Sequence, residues 1–150
     1  MTLVHGTCVE IDGTGILIQG PSGSGKSDLA LRLIDTGAQL VSDDQTLLTE
    51  TAGKLIASSP DTISGVMEVR GIGLIHVETQ TEASIGVIID LVNRDAVSRL
   101  PVPNSKSLID IAPDIRLPVY QLHAFDSSTP AKVRLAVQAI QGTPRLWYQH

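Results

Sequence analysis

Gly20-Pro21-Ser22-Gly23-Ser24-Gly25-Lys26-Ser27 constrains this chain more than any other stretch. It reads G-x-x-x-x-G-K-S, the loop that wraps the phosphates of a nucleoside triphosphate. Glycines let the backbone turn tightly and approach an anion with no Cβ in the way. Successive N–H groups then point at phosphate oxygens, reinforced by the positive end of the following helix. Lys26 would reach the β- and γ-phosphates, and the Ser27 hydroxyl would take a coordination position on Mg²⁺.

Such a loop has to be held between a strand and a helix. Ile16-Leu17-Ile18-Gln19 is an apolar run suited to a buried strand. Leu29, Ala30, Leu33 and Ile34 follow at helical spacing, and Gly37 is placed to end the helix. Strand, loop and helix come in the required order, which disfavours a chance glycine-serine turn.

The remaining sequence predicts more strands than helices. Residues 4–11 and 16–19 read as a hairpin joined by Asp12-Gly13-Thr14-Gly15. A strand is expected at 39–42, ending on Asp43-Asp44, and a second hairpin joins 45–49 to 54–57 around Ala52-Gly53. Loops are expected at 58–65 and 99–107. The apolar run 84–92 suits a strand covered on both faces, and 115–122 suits another, interrupted or edged by Pro118. Thr129 can cap a last helix, Pro130 suits its first turn, and its apolar face is Val133, Ala136, Val137 and Ile140, with Gly142 stopping it. The tail from Thr143 has no periodicity. The expected class is α/β, with mixed sheets, few helices and residues 1–150 as one domain.

Composition narrows the partners. With 42 % apolar and only 3 % aromatic residues, the core is expected to be Val, Ile, Leu and Ala. A net charge of −5 and the lack of a basic cluster argue against nucleic acid. No apolar stretch is long enough to span a bilayer and no N-terminal signal pattern occurs, so no membrane association is expected. The lone Cys8 excludes an internal disulfide and fits a reducing cytoplasm.

Three groups of residues besides the loop can carry chemistry. Asp43 and Asp44 close an apolar strand, where one carboxylate can accept a hydroxyl proton while the other organises a metal; a simple turn or cap is the other reading. In Val66-Met67-Glu68-Val69-Arg70-Gly71-Ile72-Gly73, Glu68 and Arg70 are expected on one face of a strand. Glu68 can bind Mg²⁺ and Arg70 can stabilise phosphoryl charge, although spacing alone favours a surface ion pair. Asp90, closing the stretch 85–90, is a rival metal carboxylate. His5, taken alone, reads as a structural strand histidine. His76, His123 and His150 lack ligand spacing, and Cys8 reads as core packing.

Taken together, His5-Gly6, the hairpin, the glycine loop, Leu40-Val41-Ser42-Asp43-Asp44 and Met67-Glu68-Val69-Arg70-Gly71-Ile72-Gly73-Leu74-Ile75 resemble the catalytic domain of HPr kinase/phosphorylase. The last string looks like that family's own signature. The match covers roughly residues 4–92. The resemblance implies a fold related to phosphoenolpyruvate carboxykinase and a hexameric assembly. It also implies ATP- and Mg²⁺-dependent phosphorylation of a serine on HPr, the small phosphocarrier of the bacterial sugar phosphotransferase system. Carried over by motif, Asp43 would be the general base, with Asp44 beside it. His5 would contact phosphate or Asp43, Ser27 and Glu68 would face Mg²⁺, and Arg70 would support the site.

Three departures qualify the resemblance. The separate N-terminal domain that family members carry is expected to be missing, because His5 comes almost at once. Pro21 stands where an acidic residue is common. The stretch Asp126-Ser127-Ser128-Thr129-Pro130-Ala131-Lys132 lacks the arginine pair that serves phosphorolysis, with Lys132 or Arg134 as partial substitutes. Kinase activity without strong phosphorylase activity is the expectation. A phosphate-loop kinase of a small metabolite, or a nucleotide-sensing binding module, are the alternatives, which labelling of a phosphocarrier would separate.

Overall fold

The computed structural model describes residues 1–60, 64–102, 105–108 and 112–142; the tail from Thr143 and parts of the two expected loops lie outside them. Strand β9 (Glu82–Leu91) carries the long apolar run and organises the sheet. One edge pairs parallel with β3 (Thr14–Gln19). The other pairs first with β6 (Lys54–Ser58), antiparallel, and then with β11 (Ala112–Leu122), parallel.

The exchange of neighbours falls at Gly86. Gly15 pairs with Ile85 and Ile16 with Val87, so Gly86 is an extra residue, a bulge that bends and twists the strand. A Cβ at Gly86 would lie 2.6 Å from Thr14 Cγ2, which leaves no room for a larger residue without a shift. The bulge also changes which face the side chains take. Ala83 and Ile85 join one core cluster, whereas Val87, Ile89 and Leu91 join the other. Burial on both faces is why this strand reads as continuous apolar sequence rather than as an alternation.

The strand order is β1-β5-β6-β9-β3-β2-β4, where β1 is Thr2–His5, β2 Thr7–Ile11, β4 Gln39–Ser42 and β5 Gln45–Thr51. Strand β10 (Ser105–Leu108) pairs with β11 inside the segment expected as an irregular loop at 99–107. Its backbone finds a partner that no local signal announces. Two hairpin turns form where expected, the first tighter than residues 12–15 because β3 already starts at Thr14. Asp12-Gly13 and Ala52-Gly53 all have positive φ, the conformation a two-residue turn needs to follow strand twist.

Helices α1 (Lys26–Asp35) and α2 (Thr129–Ile140) cover the face lined by Val9, Ile11, Ile16, Ile18, Val87 and Ile89. Leu29, Ala30 and Leu33 are buried as their spacing predicts. Helix α1 ends at a left-handed Gly37 (φ 113°). There the Gly37 N–H donates to the Ile34 carbonyl and the Ala38 N–H to that of Leu33. The α2 side chain Arg134 completes this end by donating to Leu33 O at 2.9 Å and Thr36 Oγ1 at 2.6 Å. A cation on the last helical carbonyls is favourable. Arg134→Ala is expected to destabilise the fold by about 1–2 kcal/mol, read as a lower urea midpoint at unchanged slope.

Two helix expectations need correction. Thr129 is the first residue of α2, not its cap, and its hydroxyl instead donates to the His123 carbonyl. Ile140 is 42 % exposed while Ala139 is buried, so the inward face of the last turn passes through Ala139. The predicted metal and phosphate cluster 66–73 also changes shape. It forms a separate hairpin of β7 (Val66–Val69) and β8 (Gly73–His76), packed on α1 through Met67.

Candidate active site

The bend that places Asp43 and Asp44 is built into two strand pairs at once. Strands β1 and β2 are consecutive, as are β4 and β5, and the two stretches run antiparallel. Residue numbers of paired couples sum to 50 from Thr2↔Leu48 to His5↔Gln45 and again at Cys8↔Ser42. One ribbon therefore continues through the corner, opposing Gly6 to Asp44 and Thr7 to Asp43. The Gly6 N–H donates to Asp44 O at 2.8 Å, and Thr46 Oγ1 donates to Gly6 O at 2.9 Å. Asp44 takes φ 65°, a left-handed conformation that aspartate tolerates better than most residues. The turn turns the two carboxylates apart.

Asp43 points inward and is buried. Its Oδ1 accepts hydrogen bonds from Ser27 Oγ at 2.7 Å and Thr7 Oγ1 at 3.1 Å. Among the described residues no hydrogen bond reaches Oδ2. Thr7 is fully buried, and its oxygen also accepts the Asp44 N–H at 3.1 Å. One hydroxyl thus ties the carboxylate to the corner that carries it. Sequence reading missed Thr7, since a threonine at the start of a strand carries no local sign of a partner 36 residues away.

Asp44 faces outward and meets His5 Nε2 at 2.8 Å, with both side chains well exposed. The resemblance implies that His5 contacts phosphate or Asp43; in the structure its side chain meets Asp44, while Asp43 lies on the Thr7 side of the corner. Exposed pairs of this kind contribute little stability.

The glycine loop follows β3 directly into α1. Gly23 and Gly25 have φ of 81° and 99°, which side chains rarely adopt. Lys26 is buried and its Nζ arches back over the loop, donating to Gly20 O at 2.8 Å and Pro21 O at 3.2 Å. Ser24 Oγ is buried with no hydrogen-bond partner among the described residues. A glycine cradle closed by an ammonium group, holding one unsatisfied hydroxyl, suits an anionic phosphate. The adjacent oxygens of Ser27 and Asp43 are hard donors suited to Mg²⁺, which takes one or two carboxylates and relies on phosphates and water for the rest. Asp90 also stands at this edge, in register with Gln19, the residue before the loop.

Glu68 and Arg70 are placed differently from expectation. Strand β7 ends at Val69, and the Ile72 N–H closes a turn onto Val69 O, so Arg70 lies in the turn and does not share a strand face with Glu68. Both are exposed, and neither pairs with the other or with Asp43, Asp44 or Lys26 among the described residues. No group of three or more His, Cys, Asp or Glu able to hold a metal occurs among the described residues. Arg134 is held at the far end of α1 from the loop. Burial pushes the Cys8 thiol up to about 12, in keeping with a packing role.

A parallel strand trio, a glycine loop entering a helix and a carboxylate bonded to the loop's serine define a phosphate-loop α/β domain. Residues 1–130 match the family described as HPr Serine kinase C-terminal domain, and the chain belongs to that family. It is similar to the HPr kinase/phosphorylase of Clostridium tetani, with 50 % identity over 97 residues, covering 60 % of this chain and 32 % of that protein. The HPr kinase/phosphorylase of an Exiguobacterium species is 41 % identical over 104 residues, covering 64 % and 33 %. The chain thus spans about a third of the length of these relatives. The structure of the Hpr(Ser) kinase/phosphatase from Coxiella burnetii superposes with a TM-score of 0.81 at 27 % identity, covering 94 % of this chain and 91 % of that one. No helix among the described residues is long and apolar enough to cross a membrane.

Proposed function

We propose that this chain is the catalytic unit of an ATP-dependent protein kinase that phosphorylates a serine of an HPr-type phosphocarrier. The observation that carries the reading is the hydrogen bond from Ser27 Oγ to Asp43 Oδ1, which joins the phosphate loop to a buried carboxylate 16 residues away in sequence. Residues 20–27 would hold the ATP phosphates, with Lys26 leaving its carbonyl partners for them. Ser27 and Asp43 would hold Mg²⁺ directly or through water, and Glu68 would join only if the β7–β8 hairpin approaches. The ion supplies charge neutralisation on the transferring phosphoryl group.

Asp43 is the proposed general base. Thr7 and Ser27 fix its Oδ1, which leaves Oδ2 to accept the proton of an incoming seryl hydroxyl. His5 and Asp44 form the polar rim on the solvent side of the corner, where a protein acceptor would arrive. Arg70 is proposed to support that rim from its turn. Phosphorolysis is expected to be weak or absent, since Arg134 is committed to the α1 terminus.

The direct test mixes the protein with radiolabelled ATP, Mg²⁺ and an HPr-type phosphocarrier. Acid-stable label on a carrier serine, lost in Lys26→Ala, is the expected result. ATP turnover with no labelled carrier would favour a small-metabolite kinase and overturn the proposal.

A second measurement addresses Thr7. Thr7→Val preserves shape while removing the donor to Asp43 and the acceptor for the Asp44 N–H, each costing about 1–3 kcal/mol when left unsatisfied. The expected outcome is a fall in kcat of about tenfold or more with KM for ATP unchanged. Thr7→Ser should restore most of it. Loss of rate in Thr7→Ser as well would mean the threonine methyl, not the hydroxyl, matters.

A further inference from the structure

The segment between β11 and α2 reaches the phosphate loop and presents an aromatic ring there. Residues 123–128 follow the carboxyl end of β11, where Leu122 is in register with Leu91 of β9, while Asp90 is in register with Gln19 of β3. Ligands of α/β sheets bind outside these carboxyl ends. A Cβ placed on Gly25 would lie 2.8 Å from Phe125 Cζ and 2.7 Å from Ala124 Cβ, so the ring edge rests on the glycine that opens α1. Phe125 is the chain's single phenylalanine, yet it is 54 % exposed.

The ring is held in place. Arg32 of α1 donates to the carbonyls of Ala124 and Asp126. Arg94 grips the Asp126 carboxylate at 2.7 and 2.8 Å, which holds that carboxyl below the usual carboxylate range. The ring of His123 meets Phe125 edge-on at 5.8 Å, and its Nδ1 bonds to Val92 O at 3.0 Å. Three side chains, Arg32, Arg94 and His123, anchor this short loop and fix an aromatic group that contributes little to the core. A rigid, half-exposed ring beside a phosphate cradle has the form of a stacking platform.

We propose that Phe125 is the base platform of the nucleotide site, stacking on the nucleobase of a nucleoside triphosphate whose phosphates lie in residues 20–27. This rests on the proposed phosphate site and adds the substrate class: a nucleotide is selected over a base-free polyphosphate. Stacking uses the π-face that every base has, so the platform by itself does not choose among bases.

Titration calorimetry with ATP and with inorganic tripolyphosphate, both with Mg²⁺, tests this on the intact chain. Phe125→Leu keeps apolar bulk over Gly25 and removes the π-face; Phe125→Tyr keeps the ring. The expected result is ATP affinity weakened about 10- to 100-fold in Phe125→Leu, unchanged affinity for tripolyphosphate, and wild-type behaviour in Phe125→Tyr. Equal weakening for both ligands would make the residue a support for the loop and overturn the proposal. Unchanged ATP affinity with a raised KM for the phosphocarrier would assign the ring to the protein acceptor, also overturning it. Wild-type protein that binds tripolyphosphate but gains nothing from the nucleoside defeats the platform alone. Wild-type protein that binds neither defeats the phosphate site and the platform together.

Discussion

Asp43→Asn is expected to lower serine phosphorylation by about 10²- to 10⁴-fold while weakening ATP binding far less. The substitution is nearly isosteric, and the amide oxygen can still accept from Ser27 and Thr7, which reach Oδ1 at 2.7 and 3.1 Å. The amide can no longer take a proton. The effect should therefore appear mainly in kcat, with at most a modest rise in KM for ATP, because the glycine loop and Lys26 are untouched while one Mg²⁺ carboxylate becomes a neutral amide. Single-turnover labelling with saturating ATP measures it. A variant retaining more than a tenth of wild-type rate would move the base elsewhere. Asp90 is then the first residue to test, since it stands at the same sheet edge. Asp44→Asn serves as a comparison: its carboxylate is exposed and, among the described residues, paired with His5, so a smaller loss is expected.

Gly25→Ala is expected to be the most damaging single-methyl change in the site. Its φ of 99° is unfavourable for any side chain by about 1–2 kcal/mol. The added Cβ would also sit 2.7 Å from Ala124 Cβ, which cannot move without its backbone. Overpacking of this kind adds about 1–3 kcal/mol. Together these predict a loss of about 2–5 kcal/mol and a fall in Tm of roughly 5–15 °C. Gly37→Ala isolates the first contribution, because Gly37 has a similar φ of 113° but open space where a Cβ would go. It should cost only about 1–2 kcal/mol. Equal effects at the two positions would show that the loop 123–128 yields, and that its anchoring by Arg32 and Arg94 is loose.

Much of the architecture is legible because its signals are local. Gly25-Lys26-Ser27, the spacing of Leu29, Ala30 and Leu33, and the Asp12-Gly13 and Ala52-Gly53 turns each specify backbone within a few residues. The 84–92 run reads as a doubly covered strand because nearly all of its side chains are apolar. What escapes such reading depends on distant pairing. Strand β10 exists through β11, and Arg70 leaves the strand face because the chain turns immediately after Val69. His5 meets Asp44 through a ribbon register set over many residues. The family signature 67–75 pointed to Glu68 and Arg70 but carried no information on which way the hairpin presents them.

The amino-acid sequence on its own determined that this chain carries a phosphate loop between a buried strand and a helix, and which carboxylates could serve it. Glycine conformations, apolar periodicity and helix ends are short-range properties, and they persist whatever else the chain does. Only the tertiary structure decided that Thr7 and Ser27 converge on one oxygen of Asp43, that Arg134 is spent on a helix terminus, and that Phe125 rests on Gly25. Those contacts join residues from 16 to 101 positions apart. They exist because burying both faces of β9 forces strands and helices from the whole chain around a single bent sheet.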